Sequence, residues 1–255
     1  MQNQFSRTAL LIGQEGLSKL QSSKVTIFGL GGVGSYTAEA LARAGIGFFK
    51  LVDFDEICLT NINRQLHALH STIGKAKVEV MKQRILDINP NAKIETFQFF
   101  YQEEGAEVFF AEKPDYVVDA IDTVKSKVSL AKECHRRGIP LISCMGAGNR
   151  LDALSFRVAD ISKTSGCPLA KAVRKLLKRE GITQGFKVVF SPEPTLKPLE
   201  QETSCESNCI CPSGDAHCSL KRQIPGSISY VPSMAGLLMA GEVVKDIIKK
   251  NFNRD

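Results

Sequence analysis

A chain of 255 residues can bury one large core and is short for more than two domains. Its 43% hydrophobic and 24% charged content, without low-complexity stretches, excludes a disordered or fibrous protein. The amino terminus, MQNQFSRTALLIG, has no basic stretch followed by an apolar core, and the most apolar run, Tyr230 to Val244, is broken by Pro232, Ser233 and Glu242; a cytoplasmic protein with neither secretory leader nor membrane span is expected.

In chain order, an arm over residues 1–23 precedes a strand at Lys24 to Phe28, a helix from Gly32 to Ala44 and a strand at Phe48 to Asp53. A helix from Lys75 to Leu86 follows, then strands at Lys93 to Phe97, Asp115 to Asp119, Pro140 to Cys144 and Ser155 to Asp160, with helices at Ala106 to Ala111 and Val124 to Arg136 between them. This alternation predicts an α/β fold: a Rossmann-like, doubly wound, mainly parallel sheet with helices on both faces. One domain over 1–255 is expected, with its nucleotide-binding core at 24–160.

The net charge of +6 sits in residues 161–190, which hold seven Lys/Arg against one Glu. Pro168 suits a helix start and Gly181 a stop, with Leu169, Val173, Leu176 and Leu177 at helical spacing, so Lys171, Arg174, Lys175, Lys178 and Arg179 are expected to face outward. Such a face is either merely solvated or a dock for a polyanion. Residues 191–229, rich in Pro, Ser, Gly and Cys, read as a long loop or lid, and a helix from about Ser233 to Lys249 closes the chain within 230–255.

Gly29-Leu30-Gly31-Gly32-Val33-Gly34 follows an apolar strand and opens a helix. Gly29 permits the tight turn, Gly31 the approach of a phosphate to the backbone and Gly34 close packing of the helix, while the free N–H groups of the first turn attract anions. Asp53, at the next strand end, can accept hydrogen bonds from a ribose hydroxyl pair. These features say "nucleotide", and dinucleotide dehydrogenases share them.

Three further stretches separate those readings: Asn61-Ile62-Asn63-Arg64-Gln65, Lys77, and Asp119-Ala120-Ile121-Asp122. Together with Gly29 to Ser35 and Asp53 they resemble the adenylylation site of the ThiF/MoeB/HesA superfamily, to which the ubiquitin-activating enzymes are related. The resemblance implies an ATP-using enzyme in which Arg64 and Lys77 hold the phosphates, Asn61 and Gln65 support the nucleotide pocket, Gly29, Gly31, Gly32 and Gly34 line it, and Asp122 holds Mg2+. Arg7 matches an arginine supplied across a homodimer. Taken singly, Lys77 could equally lie on an exposed helix face, and Asp122 could cap the helix starting near Val124.

Further stretches are similar to one branch of that superfamily, the tRNA threonylcarbamoyladenosine dehydratases: Leu41 to Gly47, Asn63 to Leu69, Asp119 to Thr123, Met145 to Gly148 and Ala159 to Thr164. The implied reaction is ATP-dependent adenylylation of the threonyl carboxylate of the modified adenosine in tRNA, then ring closure by the neighbouring carbamoyl group with loss of AMP. The implied partners are that tRNA, a second copy of the chain and a sulfur-transfer protein. The alternative is an adenylyltransferase acting on a Gly-Gly-ended sulfur-carrier protein, but such enzymes usually carry two Cys-x-x-Cys pairs, and this sequence has none. A nicotinamide oxidoreductase would have no use for Arg64, Lys77 and Asp122 together, and a non-catalytic adaptor would bind ATP without consuming it.

Of eight cysteines, Cys58, Cys134, Cys144 and Cys167 are isolated and read as small buried hydrophobes. Cys205, Cys209, Cys211 and Cys218, with His217, offer enough ligands for Zn2+ at a spacing that matches no common finger; a mobile thiol-rich loop is the alternative. His67, His70 and His135 read as capping or packing residues, with His67 close to the Arg64 motif.

Overall fold

The computed structural model describes residues 2–199 and 225–248. The chain order is α1 (Ser6–Ser22), β1 (Lys24–Phe28), α2 (Gly34–Ala44), β2 (Phe48–Val52), α3 (Lys77–Ile88), β3 (Lys93–Phe97), α4 (Glu107–Phe110), β4 (Tyr116–Asp119), α5 (Val124–Arg137), β5 (Leu141–Cys144), β6 (Arg157–Asp160), α6 (Pro168–Arg179), β7 (Lys187–Phe190) and α7 (Tyr230–Ile248). The strands form one sheet in the order β3-β2-β1-β4-β5-β7-β6. All neighbours are parallel except β6, which runs antiparallel to β7 with Val158 opposite Val189.

Both faces of the sheet are covered, as a parallel sheet requires. On one face Val25, Ile27, Tyr116 and Val118 pack with apolar residues of α1, α2, α3 and α7. On the other, Phe28, Val52 and Val117 pack with α4, α5 and α6, and the Phe28 ring meets Tyr101, Phe109 and Phe110. Alternate residues of the central strands therefore belong to opposite cores, which is why β1 and β4 are mostly apolar, with Thr26 and Asp119 as their buried polar members.

Two elements differ from the sequence expectation. The amino-terminal arm holds a helix, α1, broken at Gly13 (φ 71°, ψ 170°), and only Gly16, Leu17 and Leu20 within it are buried, too few for an apolar period to stand out. Strand β7 follows Gly185 and is four residues long; it inserts between β5 and β6, so β6 becomes an edge strand. Boundaries also move. β6 begins at Arg157 because Ala153–Ser155 forms a 3-10 turn, and α7 begins at Tyr230, with Pro232 in the first turn where its missing N–H is harmless. Residues 106–111 provide a single turn rather than a full helix.

Helix α6 carries the expected basic residues with one correction. Arg174 does not face outward: its Nη1 donates to both the carbonyl and the hydroxyl of Thr164, tying α6 to the preceding loop. Lys171, Lys175, Lys178 and Arg179 are exposed, while Ala170, Val173 and Leu177 form the buried stripe and Leu176 is half-buried.

A charge pair lies at the centre of the sheet. Lys127 of α5 and Asp119 at the end of β4 are each 1% exposed, with Nζ 3.0 Å from Oδ2, and Ser143 of β5 donates to the same oxygen at 2.5 Å. Removing one partner strands the other charge in the core, so Lys127→Met should cost about 3–5 kcal/mol. The double change Asp119→Asn with Lys127→Met should recover most of that loss, and urea unfolding of the two variants checks both expectations.

Candidate active site

The sheet changes direction of growth between β1 and β4, and ligands of open α/β sheets bind beyond the carboxyl ends of the strands at that point. The glycine-rich loop follows β1 and the Ala120 to Asp122 turn follows β4, so both loops meet there. Gly29 has φ 86°, a left-handed conformation that glycine adopts without strain, and a Cβ on it would come within 2.8 Å of the Ala120 carbonyl oxygen. A Cβ on Gly34 would overlap the carbonyl oxygen of Gly29. One on Gly31 would meet nothing within 4 Å, so the approach to that backbone is open.

Asp53 fixes the opposite wall. Its Oδ2 accepts from the Leu30 N–H at 2.6 Å and its Oδ1 from the Asp55 N–H at 2.9 Å. Burial pushes its carboxyl pKa up, Lys77 pulls it down and Asp55 pushes it up again. Lys77, at the start of α3, is 4% exposed and its Nζ lies 2.6 Å from Asp55 Oδ2. It therefore does not sit on a solvated helix face. Asp55 is a functional candidate that the sequence reading passed over; a second carboxylate two residues beyond Asp53, just past the strand end, was the available signal.

Arg64 arrives on the loop after β2. Its Nη1 donates to Thr60 O and Asn63 Oδ1, both at 2.9 Å, and its Cγ lies 3.3 Å from where a Cβ on Gly32 would stand. Burial lowers the pKa of the guanidinium, and Cys58 and Asp122 act in the opposite direction, so Arg64 and Asp122 share one electrostatic neighbourhood. Asp122 is exposed and accepts from the Thr123 hydroxyl at 3.4 Å; it stands one residue before Thr123, the N-cap of α5. Asn61 Oδ1 accepts from the Cys58 N–H and shapes the turn that presents Arg64. Ser35, the second residue of α2, accepts from the Leu66 N–H and donates to Gly31 O, joining that turn to the glycine-rich loop.

The fold thus gathers Gly29, Gly31, Gly32, Gly34, Asp53, Asn61, Arg64, Gln65, Lys77 and Asp122 at one edge. Arg7 stands apart, exposed in the first turn of α1. Among the described residues no group of three or more His, Cys, Asp or Glu side chains could hold a metal, and Cys205, Cys209, Cys211, Cys218 and His217 lie outside them. An exposed carboxylate such as that of Asp122 nevertheless suits magnesium, which keeps most of its waters and takes one or two carboxylates together with substrate phosphates.

Comparison with known proteins agrees with this geometry. The family model described as "ThiF family" matches residues 5–254. The tRNA threonylcarbamoyladenosine dehydratase of Bacillus subtilis (strain 168) is 49% identical, over 98% of this chain and 96% of its own. The protein of that name from Escherichia coli (strain K12) is 39% identical over 79% of this chain and 78% of its own. The chain belongs to the ThiF family, in its tRNA threonylcarbamoyladenosine dehydratase branch. The crystal structure of the E. coli tRNA N6-threonylcarbamoyladenosine dehydratase in complex with ATP superposes with a TM-score of 0.83 at 33% identity, covering 99% of this chain and 96% of that one.

Four cysteines behave as small apolar groups: Cys58, Cys134, Cys144 and Cys167 are buried, and burial pushes the Cys144 thiol up to about 12. His67 is a sharper case than packing alone. It is 2% exposed, neither ring nitrogen has a hydrogen-bond partner, and Gln65 Oε1 beside it in the chain is likewise buried and unpaired. Burial, with Lys77 and Arg84 nearby, lowers its pKa to about 3. The folded protein therefore keeps this ring neutral while the unfolded chain protonates it below its ordinary pKa of about 6.5, so stability falls as pH drops from there toward 3. The loss from this group should reach about 2 kcal/mol at pH 5. Denaturant titrations at pH 7 and pH 5 should show that difference in the parent chain and a much smaller one in His67→Leu.

Proposed function

We propose that this chain adenylylates the threonyl carboxylate of threonylcarbamoyladenosine in tRNA and then closes the ring, releasing pyrophosphate and AMP. The observation that carries the reading is the convergence of Arg64, Lys77 and Asp122 on the glycine-rich loop at the switch point of the sheet, in a chain 49% identical to a dehydratase of that name.

A carboxylate cannot expel oxide at neutral pH. Attack by its oxygen on the α-phosphorus of ATP forms the acyl–phosphate bond, breaks the bond to pyrophosphate and installs AMP as a leaving group. In this reading Asp53 accepts from the ribose hydroxyls, and the open backbone at Gly31 receives the phosphates. Lys77 exchanges Asp55 for a phosphate oxygen, and Arg64 stabilises the charge that develops on departing pyrophosphate. Magnesium, held by Asp122, would supply further charge neutralisation at the phosphates. The carbamoyl group of the same nucleoside then attacks the activated carbonyl and AMP leaves, so no acceptor protein is needed and proximity lowers the second barrier. A tRNA substrate supports a cytoplasmic place of action, and no helix among the described residues is long and apolar enough to cross a membrane.

The exposed Lys171, Lys175, Lys178 and Arg179 offer the tRNA backbone a cationic row. With ATP and tRNA carrying threonylcarbamoyladenosine, the protein should remove one water from that nucleoside, seen as a mass loss after digestion, and release AMP. Asp122→Ala should slow this on the order of 10²-fold while leaving tRNA affinity in place. Lys171→Glu, Lys175→Glu and Lys178→Glu together should weaken tRNA binding and flatten its salt dependence by about 2 in log–log slope, with ATP binding retained. Transfer of AMP to a Gly-Gly-ended carrier without any mass loss in the tRNA would overturn the assignment.

We further propose a homodimer in which Arg7 enters the partner's site. Leu10 and Leu11, in the same segment of α1, are 86% and 71% exposed, and covering them would offset part of the cost of association. Light scattering should give twice the chain mass. Mixing Arg7→Ala with Lys77→Ala subunits should restore about a quarter of the activity at random pairing; purely additive background from the two inactive variants would refute the exchange.

A further inference from the structure

Asn149 is the one non-glycine residue among those described with a left-handed backbone, at φ 57°. Such a conformation is uncommon for a residue with a Cβ and is kept where the surroundings hold it. The surroundings here are two chain segments that converge on Asn149 from either side of residues 200–224. Its carbonyl accepts from Leu196 N–H at 2.9 Å, its N–H donates to Gly226 O at 2.8 Å, and its Oδ1 accepts from Gly226 N–H at 2.6 Å. Fit is close as well as polar. A Cβ on Gly148 would come within 3.0 Å of Pro225, and one on Gly226 within 3.3 Å of Asn149 Oδ1.

The next residue along that return segment reaches the opposite side of the site. Ser227 O accepts from Asn63 Nδ2 at 2.9 Å, and Asn63 Oδ1 accepts from Arg64 Nη1 at 2.9 Å. An amide has one donating and one accepting end. Donation of Nδ2 to Ser227 therefore fixes which way the Asn63 group points and turns its oxygen toward Arg64. Asn149 follows β5 and Asn63 follows β2, so Gly226 and Ser227 span the carboxyl edge of the sheet between its two halves.

We infer that Asn149 is a positioning residue for Arg64, acting through Gly226, Ser227 and Asn63. The relay rests on the reading that Arg64 meets the ATP phosphates. It explains why the non-glycine residue that holds a left-handed backbone among those described stands across the site from the guanidinium, joined to it by hydrogen bonds through the Gly226–Ser227 backbone and Asn63.

The test measures ATP affinity of the full chain by calorimetry. Arg64→Ala comes first: an unchanged affinity would remove the reading on which the relay rests. Given a loss there, Asn149→Gly, which keeps the backbone conformation and removes the side chain, should weaken ATP by about 5-fold, as should Asn63→Ala. The double variant should be no weaker than either single one, and Asn149→Asp, which keeps the accepting oxygen, should bind as the parent does. In an Arg64→Ala background, Asn149→Gly should have no further effect. Affinity unchanged in Asn149→Gly and in Asn63→Ala, or an equal loss with and without Arg64, overturns the relay. Should Asn149→Gly fail to fold, Asn149→Ala, which also removes the accepting oxygen, takes its place: the same loss is expected, absent in the Arg64→Ala background, and an unchanged affinity overturns the relay.

Discussion

The backbone between Gly29 and Gly34 folds back on itself until no side chain fits between the turn and the first residue of α2. Everything at the site is placed relative to that contact. It brings the start of α2 against the end of β1, presses Gly29 on the Ala120 carbonyl and so fixes the distance between the loops after β1 and β4. Helix α7 supports the same point from behind: Pro232 would touch a Cβ on Gly32, one on Gly236 would overlap the Val33 carbonyl, and Thr37 donates to Gly236 O at 3.0 Å. A site built on two strand ends and two packed helices is rigid before any ligand arrives, which is the condition for electrostatic stabilisation that costs no reorganisation.

Cation placement follows from the same frame and from burial. Lys77 is out of water and therefore needs a carboxylate, which Asp55 supplies from the loop after β2. Asp55 is half-exposed, so under the proposed function it gives up the ammonium at modest cost when a phosphate enters. Lys127 and Asp119 are different: both are sealed in, with Ser143 completing the set, and Asp119 Oδ1 also accepts from the Ile121 N–H. One pair is available for exchange and the other anchors the turn that carries Asp122. Burial alone separates these two lysine–aspartate pairs of similar geometry.

Much of this was legible in the sequence, for physical reasons. The central strands are buried on both faces and therefore appear as short, mostly apolar runs, and the glycine spacing has meaning only between such a strand and a helix, where it stands. Arg64, Lys77 and Asp122 come from separate segments, so a common role for them was suggested only by resemblance, and the fold brings them to one edge of the sheet. What stayed hidden depends on partners distant in sequence. Nothing near Arg174 indicates that Thr164 will occupy it, nothing near His67 predicts that both nitrogens will be sealed in, and the pairing of Asn149 with Gly226 spans 77 positions. Strand β7 escaped because its four residues acquire their identity from the neighbours they pair with, not from any period of their own.

The anchoring of Arg174 also limits what α6 can measure. With that guanidinium turned inward, Lys171, Lys175 and Lys178 form a row along an eight-residue stretch, about 10 Å of helix from first to last. A ruler of that length reaches only two or three successive phosphates of a strand. Contacts so few give weak attachment that rearranges quickly as a chain slides along it. Under the proposed docking of tRNA on α6, discrimination among nucleic acids falls to the reacting nucleoside and the pocket that receives it, while the helix supplies orientation and a brief residence.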